Sequence, residues 1–280
     1  MAWDLKGKTV VVTGATNGIG KAAAVELGRR GARLVLVGRD RRRCADAADA
    51  VRATGVSVDT VVADLSLMSE TRRAAAEVLA LCPRLDVLVN NAGAIMPERR
   101  MTAEGHEATL ALNHLSYFLF TKLLTERLKA SAPARVVVVA SDAHRSAAGF
   151  PFDDLKAEKR FVPMLRYGET KLANILFTRA LAKRLAGSGV TANALHPGVV
   201  ATGFGADSKG IVGLFVRLAR PFLLTAEQGA ETIVHLAASP EAEGVSGRYF
   251  AKSREKAPRP PALDDAAAER LWALSEELTA

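Results

Sequence analysis

A phenol and an ammonium group stand one helical turn apart in the second half of the chain. Tyr167 and Lys171 are four positions apart in a segment of helical periodicity, so their side chains share one helix face. A phenol can give a proton to an oxygen that gains negative charge, and a nearby ammonium favours the resulting phenolate. The pair predicts general acid–base chemistry. The alternative is a solvated polar face that continues through Asn174 and Thr178.

Two further polar residues precede this pair. Ser141 follows the Val-rich run 136–139, and a hydroxyl at the end of a buried strand can hydrogen-bond the oxygen of a bound substrate. Asn113 interrupts an apolar stripe on a predicted helix, and an amide on a buried face needs hydrogen-bond partners. Ser141, Tyr167 and Lys171 are therefore predicted to be catalytic. Asn113 is predicted either to join them or to cap a nearby loop.

Three histidines are the other candidates for bases or metal ligands. None of His106, His144 and His196 has a second ligand at metal-binding spacing, so no metal site is predicted. His196 precedes Pro197 and is interpreted as a loop residue. His144 lies three residues after Ser141, near enough in sequence to contact substrate, but it is given no chemical role.

Buried strands separated by helical segments must position these groups. Short β-branched runs recur at 9–12, 34–37, 60–62, 87–89 and 136–139, with Ala-, Leu-, Arg- and Glu-rich segments between them. Two later strands are predicted near 190–195 and 247–250, and Asp264 is the predicted N-cap of a last helix. The pattern predicts an α/β fold: one domain over 1–280, with a doubly wound sheet of about seven parallel strands and helices on both faces.

A glycine-rich turn joins the first strand to the first helix. Its spacing is Gly-x-x-x-Gly-x-Gly, with glycines at 14, 18 and 20. Glycines let the backbone turn tightly, approach a pyrophosphate and open a helix whose N–H groups receive the anion. The turn therefore predicts dinucleotide binding, and an ordinary strand-to-helix loop is the alternative.

The end of the second strand bears on the choice between NAD and NADP. No carboxylate stands at Gly38, where a ribose hydroxyl would need an acceptor, and Arg39 follows at once. A guanidinium can neutralise a 2′-phosphate, so the cofactor is predicted to be NADP(H), with Asn17 as a second donor to the phosphate. The alternative is a solvated charge run over 39–43, in which Asp40 pairs with one arginine.

Composition bounds the remaining classes. The chain has 280 residues, 49% hydrophobic and 24% charged, which excludes disorder and low complexity. Two cysteines are too few for a disulfide framework and favour the cytoplasm. No signal peptide or transmembrane segment is recognised. The net charge of +8 fits a phosphate-rich ligand better than nucleic acid or acidic lipid, because the basic residues are scattered among acidic ones.

The ordered motifs resemble those of the short-chain dehydrogenases/reductases along nearly the whole chain. They lie at 13–20, 63–65, 90–93, 113, 141, 167–171 and 197–202. The resemblance implies a Rossmann fold, with Asp64 accepting from adenine and Asn113 anchoring a water that resupplies the proton through Lys171. The residues expected to bind the cofactor are then Gly14, Thr16, Asn17, Gly18, Ile19, Gly20, Arg39, Asp64, Leu65, Asn90, Ala92, Gly93, Tyr167, Lys171, Pro197, Gly198, Val200 and Thr202.

Within that superfamily the chain resembles the retinol dehydrogenase and WW-domain oxidoreductase branch. The segments 112–115, 141–145, 171–174 and 270–272 carry this likeness, as does an insertion of about a dozen residues before Tyr167. Thr170 stands where the branch usually has serine. The family resemblance suggests a homodimer or homotetramer through the helices bearing Asn113 and Tyr167, which the insertion could obstruct.

An apolar, glycine-flanked segment, about 203–225, follows the last motif. It is interpreted as a lid over an apolar carbonyl or alcohol, with core packing and a membrane-surface helix as alternatives. The function predicted is an NADP-dependent oxidoreductase in which Tyr167 is general acid and base. Two alternatives are a catalytically silent NADP(H)-binding regulator on the same fold and an enzyme resembling protochlorophyllide reductase.

Overall fold

Seven parallel strands and one short antiparallel strand form a single sheet in the described part of the chain, residues 3–200 and 223–280 of this computed structural model. The strands are β1 (Thr9–Thr13), β2 (Arg33–Gly38), β3 (Val58–Val62), β4 (Val87–Asn90), β5 (Ala134–Val139), β6 (Val190–His196), β7 (Tyr249–Ala251) and β8 (Arg254–Glu255). Their order is β3-β2-β1-β4-β5-β6-β7-β8. The predicted fold class is confirmed, with β8 added as an edge strand.

Helices cover both faces of the sheet. They are α1 (Gly18–Arg29), α2 (Arg41–Arg52), α3 (Met68–Leu81), α4 (Ala108–Leu110), α5 (Ser116–Ala130), α6 (Pro163–Arg184), α7 (Ala226–Ala238) and α8 (Asp265–Leu278). Strand residues alternate between two cores: Val10 and Val12 pack with α1, α2 and α7, whereas Val11 packs on the side of α3, α5, α6 and α8. Apolar side chains on both faces explain the continuous β-branched runs.

Two short segments beside the predicted catalytic residues depart from regular helix and strand. A π-helical turn, Ala111–Leu115, joins α4 to α5, and a 3₁₀ turn, Asp142–Ser146, follows β5. The π turn adds a residue within a helical stripe, so Asn113 is buried while Leu110 and Tyr117 on either side of it remain in the core.

The C-terminal helix α8 packs on α5 and α6. Asp264 caps it by accepting from the Ala267 N–H at 2.9 Å, as predicted. Trp272 lies edge-on to Phe118 and stacked on Phe177, with ring centroids 4.9 and 6.0 Å apart. A segment of this chain therefore covers part of the helix surface through which the predicted dimer would form.

Neither a spanning helix nor a metal cluster is found in the described ranges. No helix there is both long and apolar enough to cross a bilayer. The same residues contain no group of three His, Cys, Asp or Glu side chains arranged to hold a metal ion.

Candidate active site

Tyr167, Ser141 and Lys171 meet where β5 ends beside α6. The Ser141 hydroxyl accepts from the Ala143 N–H at 3.1 Å and hydrogen-bonds to the Tyr167 hydroxyl. The Lys171 ammonium donates to the Val139 carbonyl at 2.9 Å and lies 5.4 Å from the centre of the Tyr167 ring. A strand end and one helix turn thus bring together the three groups predicted to act on a carbonyl oxygen.

The helix face that carries Lys171 is buried. Lys171 is 2% exposed, Asn174 0% and Thr178 1%, and the Thr178 hydroxyl donates to the Asn174 carbonyl. The alternative of a solvated polar face is therefore wrong. These polar groups occupy the interior because each has a hydrogen-bond partner there.

Burial dominates the electrostatics of the catalytic pair. It raises the pKa of Tyr167 to about 12, against the opposing hydrogen bond with Ser141. It lowers the pKa of Lys171 to about 7. Removal from water disfavours both charged forms, so the neutral phenol is favoured. The lowering of the Tyr167 pKa expected from the ammonium is not found.

Asn113 in the π turn holds the chain that follows β4. Its side chain accepts from the Ala94 N–H and donates to the Ala94 carbonyl, both at 2.9 Å, and also donates to the Thr170 hydroxyl at 3.1 Å. Its own carbonyl accepts from the Asn174 amide at 2.9 Å. These contacts match the loop-capping role that an amide on a buried face can fill, and the anchored water stays a prediction.

Gly14, Gly18 and Gly20 line a groove that begins at the end of β1, named here the cradle. A Cβ atom on Gly14 would lie 2.7 Å from the Ala92 Cα, and one on Gly20 would lie 2.4 Å from the Asn91 amide nitrogen. That amide donates to the carbonyls of Thr13 and Gly14 at 2.9 and 3.2 Å. Sequence reasoning did not select Asn91, although the Asn-Asn-Ala-Gly motif contained it; the residue holds the glycine turn in shape.

The amino end of α1 closes this cradle. Gly18 has φ +51°, a conformation that favours glycine, and its N–H is capped by the Asn17 side-chain oxygen at 2.7 Å. A contact of the Asn17 amide nitrogen with a phosphate stays a prediction. Tight backbone approach and a helix amino end are the features that receive a pyrophosphate.

The end of β2 is closely packed around Gly38. A Cβ atom on Gly38 would lie 2.4 Å from Thr16 Cγ2 and 3.0 Å from the Cys44 sulfur. Arg39 follows, exposed to solvent. The Asp40 carboxylate accepts from the N–H of residue 43 at 2.8 Å and so caps α2, which is the use the structure makes of this carboxylate within the charge run.

Three residues predicted to bind the cofactor lie near the ends of β3 and β4, and each makes a different kind of contact with the protein. The Asp64 carboxylate accepts from the N–H and hydroxyl of Ser66 at 3.0 and 2.7 Å, which is a turn contact. Leu65 is 5% exposed, within the core. The Asn90 amide donates to the Thr121 hydroxyl at 2.8 Å, and its buried oxygen has no partner among the described residues. Their roles toward adenosine stay predictions.

Gly93 lies between the cradle and the predicted catalytic residues. A Cβ atom there would lie 3.1 Å from the Asn113 side-chain oxygen and 3.4 Å from the Lys171 nitrogen. A dinucleotide that runs along the strand ends from Gly14 would therefore bring its far end to Lys171. The glycines that line this path and the helix amino end fit a nicotinamide dinucleotide.

The loop after β6 packs against the segment that precedes α7. Gly198, which follows Pro197, has φ +87°, and a Cβ atom on it would lie 2.6 Å from the Leu224 side chain. Thr202 and nearly all of the predicted lid, 203–225, lie outside the described residues, because the structure describes none of 201–222.

A glycine in α7 brings the two ends of the cradle together. A Cβ atom on Gly229 would lie 2.6 Å from Val200 and 2.7 Å from Ile19. Glycine inside a helix costs about 1 kcal/mol relative to alanine, so its presence is the sequence signal for this contact. Gly229 was not predicted from the sequence, whereas Ile19 and Val200 were both predicted to bind the cofactor.

Known proteins similar to this chain include dehydrogenases. The sequence pattern of the short chain dehydrogenase family matches residues 8–210. The chain is 47% identical to retinol dehydrogenase 12 of Homo sapiens over 278 residues, which covers 98% of this chain and 87% of that protein.

Two solved structures share the fold. An uncharacterized protein from Mycobacterium paratuberculosis has a TM-score of 0.80 and 33% identity, with 99% of this chain and 95% of that chain covered. The Pseudomonas aeruginosa RhlG/NADP active-site complex has a TM-score of 0.72 and 29% identity, with 88% and 95% covered.

Proposed function

The chain belongs to the short-chain dehydrogenase family, in its retinol dehydrogenase-like branch, and we propose that it transfers hydride between NADP(H) and an apolar carbonyl compound or alcohol. Membership makes it an oxidoreductase that uses a nicotinamide cofactor. The proposal is carried by one observation: Tyr167 and Ser141 share a hydrogen bond at the end of a glycine-lined cradle, with Lys171 beside them.

The catalytic steps follow from the groups in place. The nicotinamide cofactor, when bound, supplies or accepts the hydride. Ser141 donates to the carbonyl oxygen and holds it beside Tyr167, whose phenol gives its proton as that oxygen gains charge. In alcohol oxidation the phenolate takes the proton back. Lys171 uses one N–H on the Val139 carbonyl, which leaves two for ribose hydroxyls.

Turnover tests the enzymatic role directly. NADPH absorbance is followed with a panel of apolar aldehydes and ketones that includes retinal, because a relative is named a retinol dehydrogenase. We expect turnover that proceeds in darkness and falls about 10²–10⁴-fold in Tyr167→Phe. Tight NADPH binding without turnover of any substrate would favour the silent regulator. Strictly light-dependent turnover would favour the chemistry of a protochlorophyllide reductase.

Preference for NADP over NAD rests on Arg39. Its exposed guanidinium directly follows Gly38, which carries no carboxylate, so it is free to meet a 2′-phosphate. We expect Arg39→Asp to reduce the NADPH-to-NADH ratio of kcat/KM at least about tenfold, the worth of one charge-assisted contact. Arg42→Asp is the matched control. An equal fall of this ratio in both variants would mean that the preference for NADPH comes from the positive charge of the whole 39–43 run and not from a specific contact of Arg39.

The remaining proposals concern the whole chain. We propose that residues 1–280 form one domain, that 203–225 forms the substrate lid, and that the protein acts in the cytoplasm. Two free, buried thiols, Cys44 and Cys82, suit a reducing compartment. Because α8 covers part of α5 and α6, a homodimer or homotetramer through these helices must leave α8 in place. Sedimentation of the full chain with and without NADPH measures the assembly.

A further inference from the structure

His144 is buried directly behind the catalytic serine. It lies in the 3₁₀ turn that Ser141 caps, and it is 1% exposed. Its Nδ1 atom is 2.7 Å from the Ser141 carbonyl oxygen, and its own backbone N–H donates to the same oxygen at 3.1 Å. One residue therefore makes two contacts with the carbonyl of Ser141.

The partners of its two ring nitrogens define one tautomer. A carbonyl oxygen only accepts, so Nδ1 must carry the hydrogen that it receives. On the other side of the ring, the Arg259 backbone N–H donates to Nε2 at 3.3 Å. A backbone N–H only donates, so Nε2 must be bare. Both contacts are satisfied only by neutral imidazole with its hydrogen on Nδ1.

The second contact ties a distant part of the chain to the site. Arg259 belongs to residues 252–261, named here the docking loop, which lies between β7 and α8 and includes β8. The Arg259 guanidinium also donates to the Arg145 carbonyl in the 3₁₀ turn. The edge of the Tyr249 ring packs on His144, with ring centroids 5.2 Å apart. The imidazole thus bridges the catalytic strand end and the docking loop.

We propose that His144 is a positioning residue for the reaction: as neutral imidazole protonated at Nδ1, it holds the Ser141 carbonyl and fastens the docking loop against the active site. Ser141 in turn hydrogen-bonds to Tyr167, so the imidazole sets the geometry of the two groups that meet the substrate oxygen. The expected effects on kcat rest on the proposed function, whereas the tautomer and the contact with the docking loop are independent of it.

The surroundings keep the imidazole neutral. Burial is the largest effect and lowers the pKa of His144. On its own turn, Asp142 favours the cation and Arg145 opposes it, and Lys256 of the docking loop also opposes it. His196 of β6 faces the same Tyr249 ring, at 5.7 Å between centroids. Protonation at Nε2 would set two hydrogens against each other and break the Arg259 contact.

Two variants separate the two contacts. His144→Asn places an amide nitrogen near the Nδ1 position and keeps the donor to Ser141, whereas His144→Gln reaches the Nε2 position and loses it. We expect kcat to fall about tenfold to a hundredfold in the Gln variant, as misplaced catalytic groups do, and less than about threefold in the Asn variant. KM for NADPH should stay within about twofold in both, because the cradle is untouched.

The matched control is His235→Asn, on α7 beside Arg135, a residue at the opposite ends of the strands. Its kcat should equal that of the wild type. Wild-type kcat should also fall on acidification more steeply than that of His144→Asn, each relative to its own value at pH 7, because the amide gains no proton. Equal losses in the Asn and Gln variants, in proportion to Tm, would overturn the positioning role.

Nitrogen NMR of ¹⁵N-histidine-labelled protein tests the tautomer without any turnover. We expect the His144 hydrogen on Nδ1 and a bare Nε2 at pH 7, with and without NADPH. Limited proteolysis at the docking loop, which contains Arg254 and Lys256, should be faster in His144→Asn, which loses the acceptor for the Arg259 N–H, than in His144→Gln or His235→Asn. A hydrogen on Nε2, or an imidazolium, would overturn the proposal even if every carbonyl tested failed to react.

Discussion

Two buried cationic side chains lie five residues apart on helix α6 and differ in whether a carboxylate compensates their charge. Arg166, 2% exposed, donates to the carboxylates of Glu107 and Glu169 at 2.8 and 3.2 Å. Lys171, also 2% exposed, has the Val139 carbonyl as its hydrogen-bond acceptor among the described residues. One charge is compensated inside the protein and the other is not.

The contacts of Arg166 explain its compensation. Glu107, 0% exposed, also accepts from the N–H groups of Thr109 and Leu110 and so caps α4, just before the π turn. The Arg166 guanidinium donates further to the Leu155 carbonyl in the insertion. The pair joins the insertion, the segment that carries Asn113 and the start of α6. The role of the Arg166–Glu107 pair is therefore structural.

The contacts of Lys171 leave its charge available. The rings of Tyr117 and Tyr167 lie 5.4 Å from its nitrogen and favour the ammonium, but neither neutralises it. A fully paired lysine would have no hydrogens left for a ribose and no charge to offer a phenolate. The difference teaches that the fold compensates the charge of Arg166, which joins structural elements, and leaves without a carboxylate partner the charge of Lys171, for which we propose a catalytic role.

Removing the unpaired cation should have the largest effect on activity. Lys171→Met retains the length of the side chain and loses its charge and donors. We expect kcat/KM to fall about 10²–10⁴-fold, because the phenol loses its cationic neighbour and the ribose its donors. The measurement is NADPH oxidation with the best carbonyl of the panel. Loss of less than tenfold would mean that Lys171 is only structural.

The same variant should be more stable than the wild type in the absence of cofactor. The folded pKa of Lys171, about 7, lies below that of an unfolded lysine, so the folded state releases a proton and wild-type stability rises as pH increases from 7 toward 10.5. Below pH 7 the buried charge costs at most about 5 kcal/mol.

Urea unfolding at pH 6 and pH 9 measures this effect. The advantage of Lys171→Met should be largest at pH 6 and at least halved at pH 9. An advantage independent of pH would show that packing, and not the buried charge, separates the two proteins.

Removing the paired cation should act on stability instead. Arg166→Met leaves the buried carboxylate of Glu107 without its partner, which costs about 3–5 kcal/mol of unfolding free energy. Arg52→Met is the control, because Arg52 is 56% exposed in its pair with Asp49 and should change stability by less than about 1 kcal/mol. Similar results for both arginines would remove the contrast between buried and exposed pairs.

The smallest effect is expected at the second carboxylate. Burial raises the pKa of Glu169, although Arg166 opposes this. Its folded pKa therefore lies above the unfolded one, and ionised Glu169 reduces stability as pH rises through that range. Glu169→Gln should change the unfolding free energy by less than about 1 kcal/mol, more favourably at pH 8 than at pH 5. A large loss would mean that Glu169, rather than Glu107, compensates Arg166.

The strands were the most predictable part of the fold. The runs at 9–12, 34–37, 87–89 and 136–139 each fall inside an observed strand, because a strand buried on both faces must be apolar at every position. The last parallel strand begins at Tyr249, two residues after the predicted start. The edge strand β8 has two exposed residues and no pattern that sequence could show.

Sequence motifs selected Ser141 after strand β5 and Tyr167 and Lys171 on helix α6, and the structure brings these three residues close together. Their catalytic roles stay predictions. Asn91, Gly229 and Arg166 were not selected, because their partners are distant in sequence. Gly229 leaves space for a neighbouring element, whereas Asn91 and Arg166 act through hydrogen bonds and ion pairs. His144 was noticed and left without a role, since its partner Arg259 is 115 residues away.

The amino-acid sequence by itself determined the order of strands and helices, the glycine turn and the chemical types available at the strand ends, because periodicity and turn chemistry are local. Only the tertiary structure decided which charges are compensated, which ring nitrogen carries a hydrogen and which amide holds which loop. Those outcomes depend on burial and on partners from other elements, and neither is defined until the chain has packed.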